Sequence, residues 1–515
     1  MKKLLYTFLS ASLLFATSCG DDYLDTMPED SGSADVIFET ADNAKLAING
    51  LCLMMGKQYL KKQGFNGEGT IKTYYGNYPG NDFQKSNLSG WAPLMNSSYI
   101  ERSTTIYDYY PWFYYYKLIG NANAVLGNID EAKGDESVKQ EVKAQALTFR
   151  AYSYTMLSQL YCRRWVDSNN GATRGLPLRI DQSTGDLAAS SLAQVYDQIY
   201  KDLDDAIANF QQSGWKRSSD DNYTPDIHVA YATYARAALI RQDWAKAAQY
   251  AALARKSFPL MSNEEYVDGG FNRPNSEWIW SVYSAEDQTL YYYSFFAYQS
   301  SNSNASPCRK YPCAISKELY DQIPETDVRR SMYLEPQKGD GFSKKNGAAD
   351  KTMTSRVKKE RDAKLDKTSS IFAYMQFKFQ NFANPGVGHV NNFRSAEMYL
   401  IEAEAKCHLN KDQEVQKLLE ELNIERNPEY KCNLTGAQLL KEVKLYRRIE
   451  LWGEGFDWFD LKRWKEPVNR KTYDEGGSFH AAFAVTIQPE EANNWTWVYP
   501  NKEIDYNDAL DSAFE

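Results

Sequence analysis

The chain has 515 residues, 43% hydrophobic and 25% charged, with a formal net charge of −9 and a pI near 5.3. That length allows two or three packing units or one large domain, and an acidic balance without a basic stripe argues against nucleic acid as a partner. Only four histidines are present, which disfavours a multi-histidine metal site, whereas 38 tyrosines, 23 phenylalanines and 12 tryptophans supply rings suited to contact surfaces as well as cores.

At the N-terminus, Lys2 and Lys3 precede an apolar run from Leu4 to Ala16, and Cys19 follows Ala16-Thr17-Ser18. The run is shorter than the ~20 residues a spanning helix needs, so residues 1–18 read as a signal peptide ahead of a lipidated Cys19. Acylation of that cysteine would hold the protein on a membrane without crossing it. Residues 19–40 form an acidic tether and extended N-terminus. A first helix is expected over 41–60, and 65–106, rich in Gly, Asn, Ser and Pro without clean periodicity, is expected as loop. Helices resume over 111–129, 137–163 and 192–211.

Periodicity is clearest from His228 to Pro259. Ala235, Ala247, Ala251 and Ala254 recur in register, Gln242-Asp243 makes a short turn, Trp244 opens a second helix and Pro259 ends it. Small residues at this spacing let two antiparallel helices approach closely, as in a tetratricopeptide unit. Another pair is expected over 392–409 and 413–426, with Ala396, Tyr399, Leu400 and Ala403 on one apolar face. Between the pairs, 260–390 is loop-rich and aromatic, with possible strands at Trp278–Tyr283 and Tyr374–Phe379. Long insertions of this kind usually carry function.

Several segments then converge: Arg150-Ala151-Tyr152, Gly175-Leu176-Pro177-Leu178, Val195-Tyr196, the run Phe393 to Ala405, the run Arg447 to Trp464, and Tyr499-Pro500-Asn501-Lys502-Glu503-Ile504. In this order they resemble the SusD/RagB family of Bacteroidetes outer-membrane lipoproteins. Cys162-Arg163-Arg164-Trp165 departs from the family, which usually has a Gly-containing turn there. The resemblance implies a mainly α fold of about four tetratricopeptide-like helix pairs with long irregular insertions, spanning 41–515 as one domain. It further implies a cell-surface, lipid-anchored, non-catalytic protein that binds oligosaccharide or polysaccharide, or in some members peptide. Such a protein caps a SusC-like TonB-dependent transporter as its lid. Asp21 and Asp22 resemble the acidic signal that sends such lipoproteins to the outer surface. Within the shared motifs, Arg447, Arg448, Glu450, Glu454 and Asp457 are expected to pair at helical spacing, with Gly453 and Gly455 breaking the helix. Arg394, Glu397, Glu402 and Glu404 should serve architecture in the same way.

Sugars are held by aromatic faces that cover C–H surface and by amides or carboxylates that satisfy hydroxyls. The richest such mixture is Tyr74 to Phe83, continuing to Trp91 within an insertion at 65–110, which singles out Tyr78, Asn81, Asp82 and Trp91. From the cluster Tyr107 to Tyr116, mostly expected as core, Tyr109 is added. The other region, Tyr291 to Tyr298 with the loop Cys308 to Cys313, lies in the 260–390 insertion and offers Arg309 and Tyr311 on a loop that a Cys308–Cys313 disulfide could stiffen. No cofactor is expected, and without an EF-hand-like loop no Ca²⁺. A secreted glycoside hydrolase is the rival from another class, but its paired carboxylates cannot be recognised from spacing alone.

Overall fold

The computed structural model describes residues 34–87, 90–284 and 293–510. The signal peptide, Cys19 and most of the tether lie outside them, as does Tyr291. Ten helices form the framework: α1 (Ala41–Met54), α2 (Ile106–Asn128), α3 (Glu136–Tyr161), α4 (Leu192–Ser213), α5 (Ile227–Arg241), α6 (Trp244–Ala254), α7 (Ser395–His408), α8 (Asp412–Asn423), α9 (Gly436–Glu450) and α10 (Asp457–Trp464). From α2 through α8, each helix packs on its neighbour in chain order, as expected of stacked helix pairs.

The α5–α6 pair follows the sequence reading closely. Asp226 caps α5 by accepting from the His228 and Val229 amides, and Gln242 ends it in the left-handed region at φ +60. Asp243 then caps α6 through the Lys246 amide, and Ala235, Ala247, Ala251 and Ala254 are all sealed in the core. The helix stops at Ala254, ahead of Pro259. The Trp244 indole stacks on the His408 ring at 3.9 Å and joins this pair to the next.

The first helix ends at Met54 rather than near residue 60, and three further elements differ from expectation, each for a physical reason. Helix α2 begins five residues earlier than predicted and runs through Pro111. Proline has no N–H for the Tyr107 carbonyl one turn back, and the Tyr75 hydroxyl donates to that carbonyl instead. The stretch Gly67–Asn77, expected as loop, is a buried helical segment whose second part, Ile71–Asn77, is π-helical. Its glycines serve close packing: a Cβ on Gly76 would overlap the Gly455 carbonyl. Residues 390–394, expected in part at the start of a helix, form a strand instead.

The strands come in four antiparallel pairs: β1 (Phe83–Lys85) with β5 (Cys313–Ile315), β2 (Arg174–Pro177) with β3 (Ala189–Ser191), β4 (Trp278–Val282) with β6 (Val390–Arg394), and β7 (Val468–Asn469) with β8 (Thr486–Ile487). Trp278–Val282 is the expected strand, whereas within Tyr374–Phe379 Met375 and Gln376 make isolated bridges, to Ala314 and Tyr333.

The charged motif residues are structural; Glu402 pairs with Lys406 one helical turn on, as expected, but the others find partners remote in sequence. Arg394, on β6, donates to Glu277, Glu450 and Glu454 at 2.7–2.8 Å. Lys378 reaches Glu454 at 2.7 Å, and Arg329 bridges Glu450 and Asp327. Glu397 pairs with Arg236, Glu402 with Arg255, and Arg447 with Asp460. Gly453 and Gly455 break the chain after α9, at φ +78 and +90.

Buried ions of this kind are costly to break because removing one strands its partners. Arg394→Met is therefore expected to destabilise the fold by about 3–5 kcal/mol, read as a lower urea midpoint with an unchanged slope. Burial alone would raise the Glu404 carboxyl, but the Arg463 guanidinium outweighs it and holds the group at about 2, against an ordinary 4.5. A depressed carboxyl contributes stability that is complete above its unfolded pKa and lost as pH falls through the folded one. Melting temperature should accordingly fall as pH is lowered from about 4.5 toward 2, and Glu404→Gln should flatten that slope.

Candidate functional site

Strands β1 and β5 bring together the two aromatic regions that lie far apart in sequence, with Phe83 opposite Ile315 and Lys85 opposite Cys313. Lys85 sits at the centre of the join and is 1% exposed. Its ammonium donates to the carbonyls of Tyr298 at 2.7 Å, Tyr311 at 2.9 Å and Pro307 at 3.3 Å. All three donors of the buried cation are thereby used, and the loop 298–311 is pinned to β1. The ammonium also lies 5.3 Å from the Trp91 ring and 5.9 Å from that of Tyr78.

Above this clasp runs a continuous chain of rings. Tyr99 stacks on Tyr107 at 4.9 Å, Tyr107 meets Tyr74 at 5.8 Å, and Tyr74 meets Tyr298 at 5.7 Å with their hydroxyls 3.0 Å apart. Tyr298 then meets Trp91 edge-to-face at 5.3 Å, and Trp91 meets Tyr311 at 6.0 Å. Tyr74, Tyr78 and Tyr298 are buried and form the floor; Trp91, Tyr99, Tyr107, Tyr293 and Tyr311 are half-buried and form the rim. Edge-to-face packing fixes the ring planes, so the rim is ordered before any guest arrives. Burial keeps the floor phenols protonated, raising Tyr298 to about 12 and holding Tyr74 and Tyr78 well above the ordinary phenol range. The chemistry on offer is apolar ring surface and hydrogen-bond donors. Among the described residues no cluster of three His, Cys, Asp or Glu could hold a metal ion.

Of the residues expected from sequence, Trp91 and Tyr311 meet at the rim. Tyr78 belongs to the sealed floor. Asn81 is half-buried and bonded into the fold: its amide donates to the Pro467 carbonyl at 3.1 Å and its oxygen accepts from the Asn469 amide at 2.7 Å. Asp82 does not face solvent. Its carboxylate takes two 2.7 Å bonds from Arg448 and one from the Ser316 hydroxyl, while its carbonyl accepts from the Trp452 indole at 2.7 Å. It ties the early insertion to α9. Tyr109 is buried against Phe113, with Lys502 4.7 Å over its ring. Arg309 donates to the Thr368 hydroxyl at 3.0 Å. Cys308 and Cys313 are not bonded to each other: both are buried free thiols, donating to the Ser300 and Tyr298 carbonyls respectively. The loop is stiffened by Lys85 instead of by a disulfide.

Tyr99 and Tyr107 were not singled out from sequence. Tyr107 opens an aromatic run that is otherwise core, and the first turn of α2 turns it toward Tyr99. Nothing in the spacing around Tyr99 signals the rim.

Residues 22–239 match a SusD-like family model described as starch-binding and associating with the outer membrane, and residues 262–514 match the SusD family model. A SusD-like protein of Formosa agariphila is 23% identical, with 92% of this chain and 95% of that protein aligned. A crystal structure of a SusD-like carbohydrate binding protein from Bacteroides vulgatus superposes with a TM-score of 0.73 at 24% identity, over 92% of this chain and 97% of that one. One of a SusD superfamily protein from Bacteroides thetaiotaomicron gives 0.72 at 20%, over 92% and 99%. At these identities the solved structures establish the fold.

Two outcomes follow from the clasp. Lys85→Met leaves three carbonyls without their donor and should destabilise the protein by roughly 2–4 kcal/mol, with faster proteolysis of the 298–311 loop as the local readout. Burial raises both thiols, so alkylation of Cys308 and Cys313 should be slow in the native protein. Unfolding without reductant should expose both to complete labelling, as read by peptide mapping.

Proposed function

The chain belongs to the SusD/RagB family, and we propose that it captures an oligosaccharide or polysaccharide on the rim formed by Trp91, Tyr99, Tyr107, Tyr293 and Tyr311. The observation that carries this reading is the pre-ordered chain of half-buried rings over a sealed phenolic floor. Sugar rings present apolar C–H faces beside hydroxyls, and a rim of indole and phenols offers both kinds of contact. Covering ~50 Å² of apolar surface contributes about 1 kcal/mol at ~25 cal/mol per Å², so a few such contacts give modest affinity. Modest affinity suits a protein that must hand its guest on.

In this reading the chain performs no chemistry on its guest. It is exported, lipidated at Cys19 and held on the outer face of the outer membrane. There it acts as the lid of a SusC-like TonB-dependent transporter and delivers the captured glycan. The family-model description, starch-binding and associating with the outer membrane, supports the placement and the class of guest. The rim's ring enrichment favours glycan over peptide.

The test is calorimetric titration of purified protein against panels of neutral oligosaccharides and of peptides. A glycan should bind, and Trp91→Ala should weaken it about tenfold, the ratio that ~1.4 kcal/mol corresponds to, with the melting temperature little changed. Peptide binding without any glycan binding would overturn the choice of guest, and release of reducing sugar would overturn the non-catalytic reading.

A further inference from the structure

A second chain of rings lies apart from the rim and shares no residue with it. Tyr283 meets Tyr223 edge-to-face at 5.1 Å, Tyr223 lies 5.5 Å from the His389 ring, and His389 stacks on Phe382 at 5.7 Å. The Arg273 guanidinium closes the chain, 4.4 Å over the Phe382 ring. All four rings are half-buried, and Arg273 is exposed. At the Arg273 end opens a groove of about 400 Å³, which Arg273 and Phe382 line together with Asp268, Glu265, Asn272 and Gln380. Clefts that hold small ligands occupy roughly 300–1,000 Å³. From this geometry we infer that the ring chain and its groove form a second saccharide-contact surface, for a neutral, hydroxyl-rich stretch of the polymer that the rim captures.

Arg273 is ordered and yet uncommitted. None of its N–H groups donates to a described residue, and it forms no ion pair with one. The stack on Phe382 fixes the plane of the guanidinium, which reduces the entropy lost on meeting a guest. Phe382 is steadied in turn by His389, whose backbone amide donates to the Asn272 carbonyl at 2.9 Å. The Tyr223 hydroxyl lies 3.4 Å from His389 Nδ1. Burial, with the Arg273 charge adding to it, lowers the His389 imidazole to about 4. The rings are therefore uncharged near neutral pH, and the guanidinium is the charged end of the chain.

The groove does not select a polyanion, because Arg273 shares it with two carboxylates, Asp268 and Glu265. Glu265 is committed, accepting from the Ser262 amide and hydroxyl. Asp268 is exposed and accepts no hydrogen bond among the described residues, although the Lys364 ammonium is near enough to feel its charge. A free guanidinium and a free carboxylate in one groove, not paired with each other, offer donors and acceptors to the same guest. Saccharide hydroxyls use both, since each donates one hydrogen bond and accepts others. The side-chain amides of Asn272 and Gln380 are not part of this set: they donate to the Gln380 and Phe377 carbonyls and hold the walls. The groove is also joined to the rim. Asn302, on the loop 298–311 that carries Tyr311, exchanges two 2.9 Å bonds with the backbone of Asn381, which borders the groove. A polymer long enough to touch both surfaces is held at two points, and the second contact raises overall affinity without strengthening either site.

The saccharide guest rests on the function proposed above, whereas the place of contact rests on Arg273 and its ring chain. The test is affinity electrophoresis of the purified protein in native gels containing amylopectin, arabinoxylan or galactomannan, with polygalacturonate as the charged control. At least one neutral polymer should retard the wild type. Arg273→Ala should raise the dissociation constant for that polymer about tenfold, and Asp268→Asn should raise it less. Both variants should keep the wild-type melting temperature. Trp91→Ala combined with Arg273→Ala should abolish retardation, whereas each alone leaves part of it. Weakening by Trp91→Ala but not by Arg273→Ala would overturn this inference and leave the rim standing; the converse would overturn the rim and leave this surface standing. A loss in Arg273→Ala that is confined to polygalacturonate would overturn the neutral assignment. Retardation of the wild type by no neutral polymer would overturn both surfaces.

Discussion

A guanidinium sealed from water must be neutralised by whatever surrounds it, and at Arg394 the surroundings come from several distant parts of the chain. Glu277 precedes β4, Glu450 ends α9, and Glu454 lies within the glycine break, all bonded to one side chain on β6. Lys378 and Arg329 extend the cluster, so three cations meet Glu277, Glu450, Glu454 and Asp327 in the interior. No single helix pair could satisfy these ions alone. Each must find its complement in another element, which makes the placement of the insertions as obligatory as that of the helices. Such a network is a poor source of net stability compared with apolar packing, but it penalises any arrangement in which one member is unpaired. It specifies the fold more than it stabilises it.

The same logic extends outward from that centre. Arg448, next to the helix-ending segment, holds Asp82, and Asp82 fixes the start of β1. Strand β1 carries Lys85, and Lys85 fixes the loop beneath Trp91 and Tyr311. The rim is thus reached from the ionic interior in a few bonded steps. Beneath it, the Asp457 carboxyl is pushed up to about 7, by burial first and then by the Asp82 charge. The Asp82 amide donates to it at 2.6 Å, and a Cβ on Gly80 would collide with it. The turn between the buried helical segment and β1 therefore has little freedom to move without disturbing α10.

How much of this is legible in the sequence depends on the range of the interaction. Helix α6, with Trp244 and its alanines, is legible because its signals lie within a turn or two of one another. The family motifs around Arg394 and Arg447 announce the mainly α architecture as a resemblance. Asp82 reads as a ligand contact because it sits among tyrosines and asparagines, yet its partner Arg448 is 366 residues away and nothing local predicts the pairing. The buried helical segment Gly67–Asn77 is hidden for a related reason: its glycines look like loop signals, whereas they admit the neighbouring chain at Gly455. Trp91 and Tyr311 are individually recognisable as aromatic residues set in polar insertions. That they meet is a property of the β1–β5 register, which composition does not encode.

The loop that carries Tyr311 is held by an ammonium ion and three carbonyls, while two thiols stand beside it unjoined. Its shape consequently depends on no bond that a reductant could break. A rim closed by a disulfide would loosen in a reducing medium; a rim closed by Lys85 has no such bond to lose. For a protein read as working outside the cell, where the surrounding medium is set by the environment, the choice of fastener widens the range of habitats in which the same surface can operate.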